Sequence, residues 1–414
     1  MGFQVKEDGN WRSFRHRNYR ILFPANTVSN IGSWAQRIAQ DWLVLELTNN
    51  NGTYLGLVTA VQFAPVLAFS LHGGKLADRF NKRKVLILTN IIGGSASLAL
   101  GALVMTDLIA LWHVFVLAGI LGISTAIDAP VRQAFTTEVV GQTDLPNAVS
   151  LNSANFNAGR LVGPAISGGL IAAFGTGPSF IVNGLSYLFV IAALANLNEK
   201  AFFHLDRPKS DGSIREGIAY AKARPDIYVV MLMVFFLATF GLNFQIFNAL
   251  MATQEFNKGP AEFGGLGTFL AVGSLSGALI AARLESWRVP RRIMAGATLF
   301  GLFLVALSFA PTYEFYSFLL PFGGAVALMT LVSANSYVQT NVSSNLRGRV
   351  MGVYLLIFMG GTPIGSPLIG FLAGEIGIRS TIAVCGSLTA LAAATLLVIY
   401  TAKRNAKNSQ EVAA

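Results

Sequence analysis

Charge is scarce in this chain. Asp, Glu, Lys and Arg make up 12% of its 414 residues, about half the share found in soluble globular proteins. With 53% hydrophobic residues beside it, that scarcity argues against a soluble enzyme and for a chain that crosses lipid many times. Cysteine is nearly missing as well. The single Cys385 rules out a disulfide framework within the chain and any Cys-based redox or metal motif. Four scattered histidines build no metal cluster. There is no Walker A sequence either. Gly74-Lys75 is followed by Leu76 where Ser or Thr is needed, so an ion gradient is the expected energy source rather than ATP. No cofactor and no metal are expected.

What the chain does have is long apolar runs. A spanning helix needs about 20 mostly apolar residues, and about twelve such segments can be marked. They begin near residues 20, 53, 84, 108, 148, 176, 227, 263, 291, 314, 350 and 378. One polar stretch, residues 198–226, interrupts them and divides the chain into an N-terminal half, 1–197, and a C-terminal half, 227–414. The expected fold is an all-α membrane protein with twelve transmembrane helices in two six-helix halves.

The net charge of +10 then describes loops, not a nucleic-acid partner. Of the 30 Lys and Arg, only Lys258 and Arg379 fall in one set of connections, and Arg37 and Arg160 lie inside spans. All the rest fall in the other set and in the two tails. Basic residues are retained on the cytoplasmic side, so both termini are expected there. The basic N-terminus "WRSFRHRNYR" precedes an apolar segment too long for a signal peptide. It reads as a cytoplasmic lead into the first helix.

The halves repeat. Gly73 corresponds to Gly277 and Arg79 to Arg283 at an offset of 204 residues, and Pro164 to Pro367 at 203. Parallel repeats of this kind are expected of transporters.

The stretch "GGKLADRFNKRK" resembles the loop signature of the major facilitator superfamily, through Gly74, Leu76, Ala77, Asp78, Arg79, Lys82 and Arg83, with Asn81 where the family usually has Gly. An acid at a cytoplasmic helix end can bond the free N–H groups of another helix N-terminus. The span after "NLRGRVMG", with Arg347 and Arg349, offers such an end, so Asp78 is a candidate latch. The basic residues around it serve equally well as topology signals alone. "GRLVGPAISGG" resembles the antiporter motif of the superfamily's exporters, through Gly159, Gly163, Pro164, Gly168 and Gly169, with Ser167 departing from it. Ordinary small-residue helix packing would use the same residues. "DAPVRQAFTTEVV", "NAVSLNSANFNAGRLVGPAISG" and "SSNLRGRVMGVYLLIFMGGTPIGSPLIGFLAG" are similar to the bacterial drug:proton antiporter group that includes macrolide efflux proteins and the enterobactin exporter. That resemblance implies export of a hydrophobic or amphipathic small molecule, such as a drug or siderophore.

Ionisable residues at membrane depth are functional candidates by default. In "NIGSWAQRIAQDWLVLEL" Arg37 and Asp41 stand one helical turn apart. Arg160 lies near the middle of its span, and the resemblance implies that its helix neighbours the first. These three form the expected proton-coupling set, with a permanent ion pair as the competing account. Asp128 and Arg132, four residues apart, read as a gate pair or a structural one. Amides and aromatics complete the list. Asn30, Gln36, Gln40, Gln62, Asn152 and Asn155 in the first half, and Asn243, Phe244, Asn248, Asn335, Tyr337 and Gln339 in the second, suit an amphipathic ligand. Each could instead serve interhelical hydrogen bonding and packing.

The expected protein is therefore a monomeric, proton-coupled exporter in a bacterial inner membrane, working by alternating access. Its partners are a small-molecule substrate, protons and the lipid bilayer. A nutrient facilitator or importer, a lysolipid or glycolipid translocator and a transport-dead sensor are the alternatives.

Overall fold

The computed structural model describes residues 9–203, 214–343 and 346–413. Among these, the side chains of 70–78, 214, 403–404 and 406–413 lie outside the described residues. A 3-10 turn, Arg12–Arg15, leads into a chain of helices. The first half holds α1 (Arg17–Leu47), α2 (Gly52–Arg79), α3 (Lys82–Met105), α4 (Leu111–Phe174) and α5 (Gly177–Ala195). A short α6 (Ile214–Ala223) follows, then α7 (Pro225–Phe236), α8 (Phe244–Leu250), α9 (Pro260–Arg283), α10 (Pro290–Ser308), α11 (Tyr313–Asn341), α12 (Arg347–Ile376) and α13 (Ile378–Ala413). Single turns of π-helix, Leu237–Gly241 and Met251–Glu255, flank α8 and carry the rod from Pro225 to Glu255.

Local chemistry sets many of the ends. Asn81 accepts the Lys84 N–H at 3.1 Å to start α3, and Thr312 accepts the Phe315 N–H at 3.3 Å to start α11. Pro225, Pro260 and Pro290 stand at first helical positions, where the missing N–H costs nothing.

Among the described residues, ten helices are long and apolar enough to cross a membrane. Two features separate ten from the expected twelve. The 64 residues of α4 exceed any single crossing, and at Gly141 its backbone turns to φ 73°, ψ 174°. Only glycine adopts that setting without strain. The helix is broken there into limbs 111–140 and 142–174. Phe203 clamps the break: its ring comes within 3.2 Å of where a Cβ on Gly141 would sit, and its N–H donates to the Glu138 carbonyl at 2.8 Å. The other feature is α1. It has 31 residues, but Asn26, Asn30, Gln36, Arg37, Gln40 and Asp41 lower its hydropathy below that of the ten.

The chain forms two compact units. Unit 1 is Met1–Asn49, Val61–Lys209 and Gly259–Thr268; unit 2 is Asn50–Ala60, Ser210–Lys258 and Phe269–Ala414. Each unit thus takes in a few turns of helix from the other half of the sequence. In unit 1, α1 packs along α4 and α5, and α3 against both. Gly163 permits the first of these approaches, because a Cβ there would meet Trp34 and the α1 backbone. The borrowed first turns of α9 lie on the second limb of α4, with Gly264 against the Pro164 carbonyl. In unit 2, α10 packs along α13, and the borrowed first turns of α2 lie on α12 at Gly52 and Gly370. The polar segment of 198–226 is not all loop: α6 packs on α12, where Glu216 pairs with Arg349.

The N-terminal lead folds back onto unit 1. Asp144, just past the break, is 1% exposed and bonds Arg15 Nε at 2.7 Å and His16 Nε2 at 2.6 Å, with Arg12 Nε as a looser ion pair at 3.4 Å. Ser13 donates its N–H to Asn147 Oδ1 at 3.0 Å. Asn18 and Asn198 exchange amide-to-backbone bonds at 2.9 and 3.0 Å, tying the start of α1 to the segment after α5.

Candidate functional site

Unit 1 encloses a cavity of about 320 Å³. Helix α1 supplies one wall with Asn26, Asn30, Ser33, Trp34, Gln36 and Arg37, which recur at helical spacing. The first limb of α4 supplies Leu121, Ser124, Asp128 and Arg132, and the second limb Asn152, Asn155 and Phe156. Gln62, Thr89, Asn183 and Tyr187 come from α2, α3 and α5.

The anticipated pair on α4 forms. Arg132 grips Asp128 through both edges of its fork, Nε to Oδ1 at 2.6 Å and Nη2 to Oδ2 at 2.9 Å. Thr89 Oγ1 and Asn90 Nδ2 also donate to Asp128 Oδ2, at 2.8 and 3.0 Å. The remaining Arg132 nitrogen, Nη1, reaches Asn26 Oδ1 at 2.7 Å. A carboxylate with four charge-assisted donors meets the requirement for keeping a charge out of water.

The charges on α1 are placed differently. The Arg37 guanidinium lies 4.7 Å from the centre of the Trp34 ring and 5.2 Å from that of Phe63. Arg160 lies 6.0 Å from the same Trp34 ring, so both cations share one indole. Asp41 is 4% exposed and stands one turn beyond Arg37, behind the cavity lining. Neither Asp41 nor Arg160 is without a partner. A charge over an aromatic face is favourable, more so where water is excluded.

The first-half amides are brought together. Asn183 Nδ2 donates to Gln36 Oε1 at 2.6 Å, Gln40 Nε2 to Gln62 Oε1 at 3.1 Å, and Tyr19 OH to Asn152 Oδ1 at 3.1 Å. Asn155 is 5% exposed, and its Oδ1 has no hydrogen-bond partner among the described residues.

The second-half candidates are placed within unit 2 and face local partners. Asn243 Nδ2 donates to the Thr239 carbonyl at 2.8 Å, and Asn248 Oδ1 accepts from Tyr316 OH at 3.0 Å. Phe244 packs on Phe247 and Phe300. Tyr337 OH donates to Asp226 Oδ2 at 2.8 Å, Asn335 is half-buried and Gln339 is exposed.

The gate candidates scatter. Arg83 caps the end of α5, with Nε to the Leu194 carbonyl at 2.6 Å and Nη2 to that of Ala195 at 2.7 Å, and pairs with Glu199. Cations there complement the helix dipole. Arg79 and Arg347 are exposed. The surroundings of Gly74 and the side chain of Asp78 lie outside the described residues.

Sequence reasoning missed Trp34, Asn183, Tyr187 and the Thr89–Asn90 pair. Trp34 lies three residues before Arg37, on the same helix face, and that spacing was a usable signal. Thr89-Asn90 is a polar doublet inside the apolar run "VLILTNIIGG".

Comparison with known proteins agrees with this architecture. The chain is 24% identical over 381 residues to the staphyloferrin A transporter of Staphylococcus aureus, covering 89% of this chain and 93% of that one. It is 27% identical over 374 residues to the multidrug efflux pump Tap of Mycolicibacterium fortuitum, covering 87% and 90%. Among solved structures, a bacterial homolog to the human lysosomal transporter Spinster, inward-facing and unoccupied, matches with a TM-score of 0.75 at 15% identity, over 92% of this chain and 96% of that one. That likeness speaks to the fold alone. The family model described as transmembrane secretion effector matches residues 8–414. The chain therefore belongs to the transmembrane secretion effector family of the major facilitator superfamily, and is a multi-pass membrane transporter.

Proposed function

We propose that the protein exports a hydrophobic or amphipathic small molecule from a bacterial cell by proton antiport, with the binding cavity open alternately to the two sides of the inner membrane. The observation that carries this reading is the unit-1 cavity. It combines an ion pair, a cation beside two aromatic rings and a ring of amides, in a chain whose other helices are long and apolar enough to span lipid. Polar groups at that depth are costly unless they act on something. The names of the relatives, a staphyloferrin A transporter and a multidrug efflux pump, support a small organic cargo, and the second supports outward movement.

In this reading Asp41, Arg37 and Arg160 couple proton to cargo. Asp128 and Arg132 hold the cavity wall. Gly163 and Pro164, at the contacts with α1 and α9, belong to the gating elements, as do the segment around Gly74, Asp78, Arg79 and Arg83, and Arg347 with Arg349. The chain acts as a monomer of twelve spans in two six-helix halves, both termini in the cytoplasm. A reporter active only in the periplasm is expected to be silent after Ala414 and active within residues 49–52. Activity at the C-terminus would break this topology.

Transport itself is tested in proteoliposomes holding a pH gradient and a pH-sensitive dye. A panel of amphipathic acids, amines and neutral drugs is added in turn. At least one compound should drive proton movement beyond that in empty liposomes, and should accumulate against its own gradient. If every compound leaves proton flux at the empty-liposome rate, antiport is wrong.

A further inference from the structure

Most of the unit-1 cavity lining is polar without being charged. Seven amides and six hydroxyls stand in it, beside Trp34, Phe156, Leu121 and Ala129. The charged side chains of the lining answer other charges of the protein. Arg132 holds Asp128 through two bonds. Arg37 stands one turn from Asp41, whose opposite charge acts on it.

The neutral groups offer hydrogen bonds of both kinds. Asn26 gives its carbonyl oxygen to Arg132 Nη1 at 2.7 Å. A guanidinium can only donate, so the end of Asn26 that is left is the N–H end. Gln36 Oε1 is taken by Asn183 Nδ2 at 2.6 Å, which again leaves the amide nitrogen. Ser124 is the converse. Its proton lies on the Thr89 carbonyl at 2.7 Å, and its oxygen is left to accept. Asn155 Oδ1 is a second acceptor. The residue is 5% exposed, and that atom has no hydrogen-bond partner among the described residues. A buried acceptor is costly unless a donor reaches it.

Donors and acceptors in one lining favour a ligand group that does both. A hydroxyl donates and accepts through a single atom, and it can therefore serve either end of an amide. A carboxylate only accepts and an ammonium only donates, so each satisfies one set and strands the other. Several hydroxyls on one small frame reach several amides at once. The rings of Trp34 and Phe156 meet edge to face at 5.5 Å, and this corner is the apolar part of the same cavity. Its volume of about 320 Å³ is at the small end of ligand cavities.

We propose that the cavity binds an uncharged, polyhydroxylated headgroup carried on an apolar body: the hydroxyls among Asn26, Gln36, Ser124 and Asn155, the apolar body against Trp34 and Phe156. The proposal rests on the transporter reading above and names its substrate class.

Equilibrium dialysis of the full chain in lipid nanodiscs tests it, with uptake by empty discs subtracted. Three probes share one ring system: 2-naphthyl β-D-glucopyranoside, the acidic 2-naphthyl β-D-glucuronide, and 2-(cyclohexyloxy)naphthalene, which carries a bare six-membered ring in place of the sugar. The glucoside should bind roughly tenfold or more tightly than the cyclohexyl ether, as two or more net hydrogen bonds imply, and no more weakly than the glucuronide. Asn155→Leu removes the unpaired acceptor and keeps the size of the side chain. It should weaken the glucoside roughly twofold to tenfold, the range for one hydrogen bond, and leave the cyclohexyl ether unchanged. The ranking in the unaltered protein decides the matter even where that variant does not fold. A cyclohexyl ether bound as tightly as the glucoside overturns the proposal, as does a glucuronide bound more tightly, or no binding of any probe. Dialysis has no gradient. A failure here therefore leaves proton antiport standing, and a failure of the liposome test leaves the headgroup preference standing.

Discussion

Arg132→Met should destabilise the folded protein by about 3 kcal/mol, the lower end of what breaking a buried ion pair costs. The methionine keeps the side-chain stem and removes the fork. Asp128 then loses two of its four donors, and Asn26 loses its contact with Arg132 Nη1. Both partners retain some exposure toward the cavity, 31% for Arg132 and 18% for Asp128, and this keeps the cost below the extreme. Thermal unfolding of purified protein measures it. The double variant Asp128→Asn, Arg132→Met should recover most of the loss, because no charge is then stranded. A double variant no more stable than the single one would show that charge compensation is not what the pair supplies.

Asp41→Asn should abolish uphill efflux while downhill flux persists. Among the described residues, Asp41 and Asp128 are the carboxylates expected inside spans of unit 1, and a carrier has to gain and lose a proton in each cycle. Loading a proton on Asp128 would forfeit the Arg132 clamp and reorganise Thr89 and Asn90 with it. Asp41 is the remaining candidate. It is 4% exposed and one turn from Arg37, on the helix that also supplies a cavity wall. One pH unit supplies about 1.4 kcal/mol per proton, or a cargo ratio of about tenfold for one-to-one exchange. In Asp41→Asn that ratio should fall to unity in a protein that melts normally. Asp128→Asn should keep coupling at reduced stability. Proton release on adding substrate that persists undiminished in folded Asp41→Asn would falsify the assignment.

The long rods were legible because lipid imposes a length and an apolar composition that few other environments do, and Arg37 with Asp41 stood out against that background. The Asp128–Arg132 pair followed from helical spacing alone. Other features turn on information that composition does not hold. The boundary between the two limbs of α4 depends on a single φ at Gly141, so a helix that restarts at residue 142 looked like a loop reaching to 148. Trp34 was one aromatic among many in an apolar run, and its role depends on which cations lie against it. Asn243 and Asn248 have the same composition signal as Asn30 and Asn155, yet their amides bond a backbone carbonyl and a tyrosine within their own unit. A polar residue in an apolar run announces that a partner exists, and the three-dimensional packing decides whether that partner is protein or cargo. The helix within the polar central segment was hidden for a similar reason: its apolar face is short, and its partner on α12 lies far along the chain.

The fastening of the N-terminal lead bears on how the chain is made. Ser13 finds its partner 134 residues downstream and Asn18 finds its own 180 residues downstream. Ribosomes deliver about 5–20 residues per second, so the first segment to emerge waits roughly ten seconds or more before Asn198 exists to receive it. During that interval Arg12, Arg15 and Arg17 form a basic stretch ahead of α1, of the kind that biases the orientation of an inserting helix. Once Asp144 and Asn198 have been synthesised, Arg12, Arg15 and Asn18 become structural. A single short sequence is thus available as a basic flank first and is fastened to unit 1 only later, and the order is set by translation rather than by affinity.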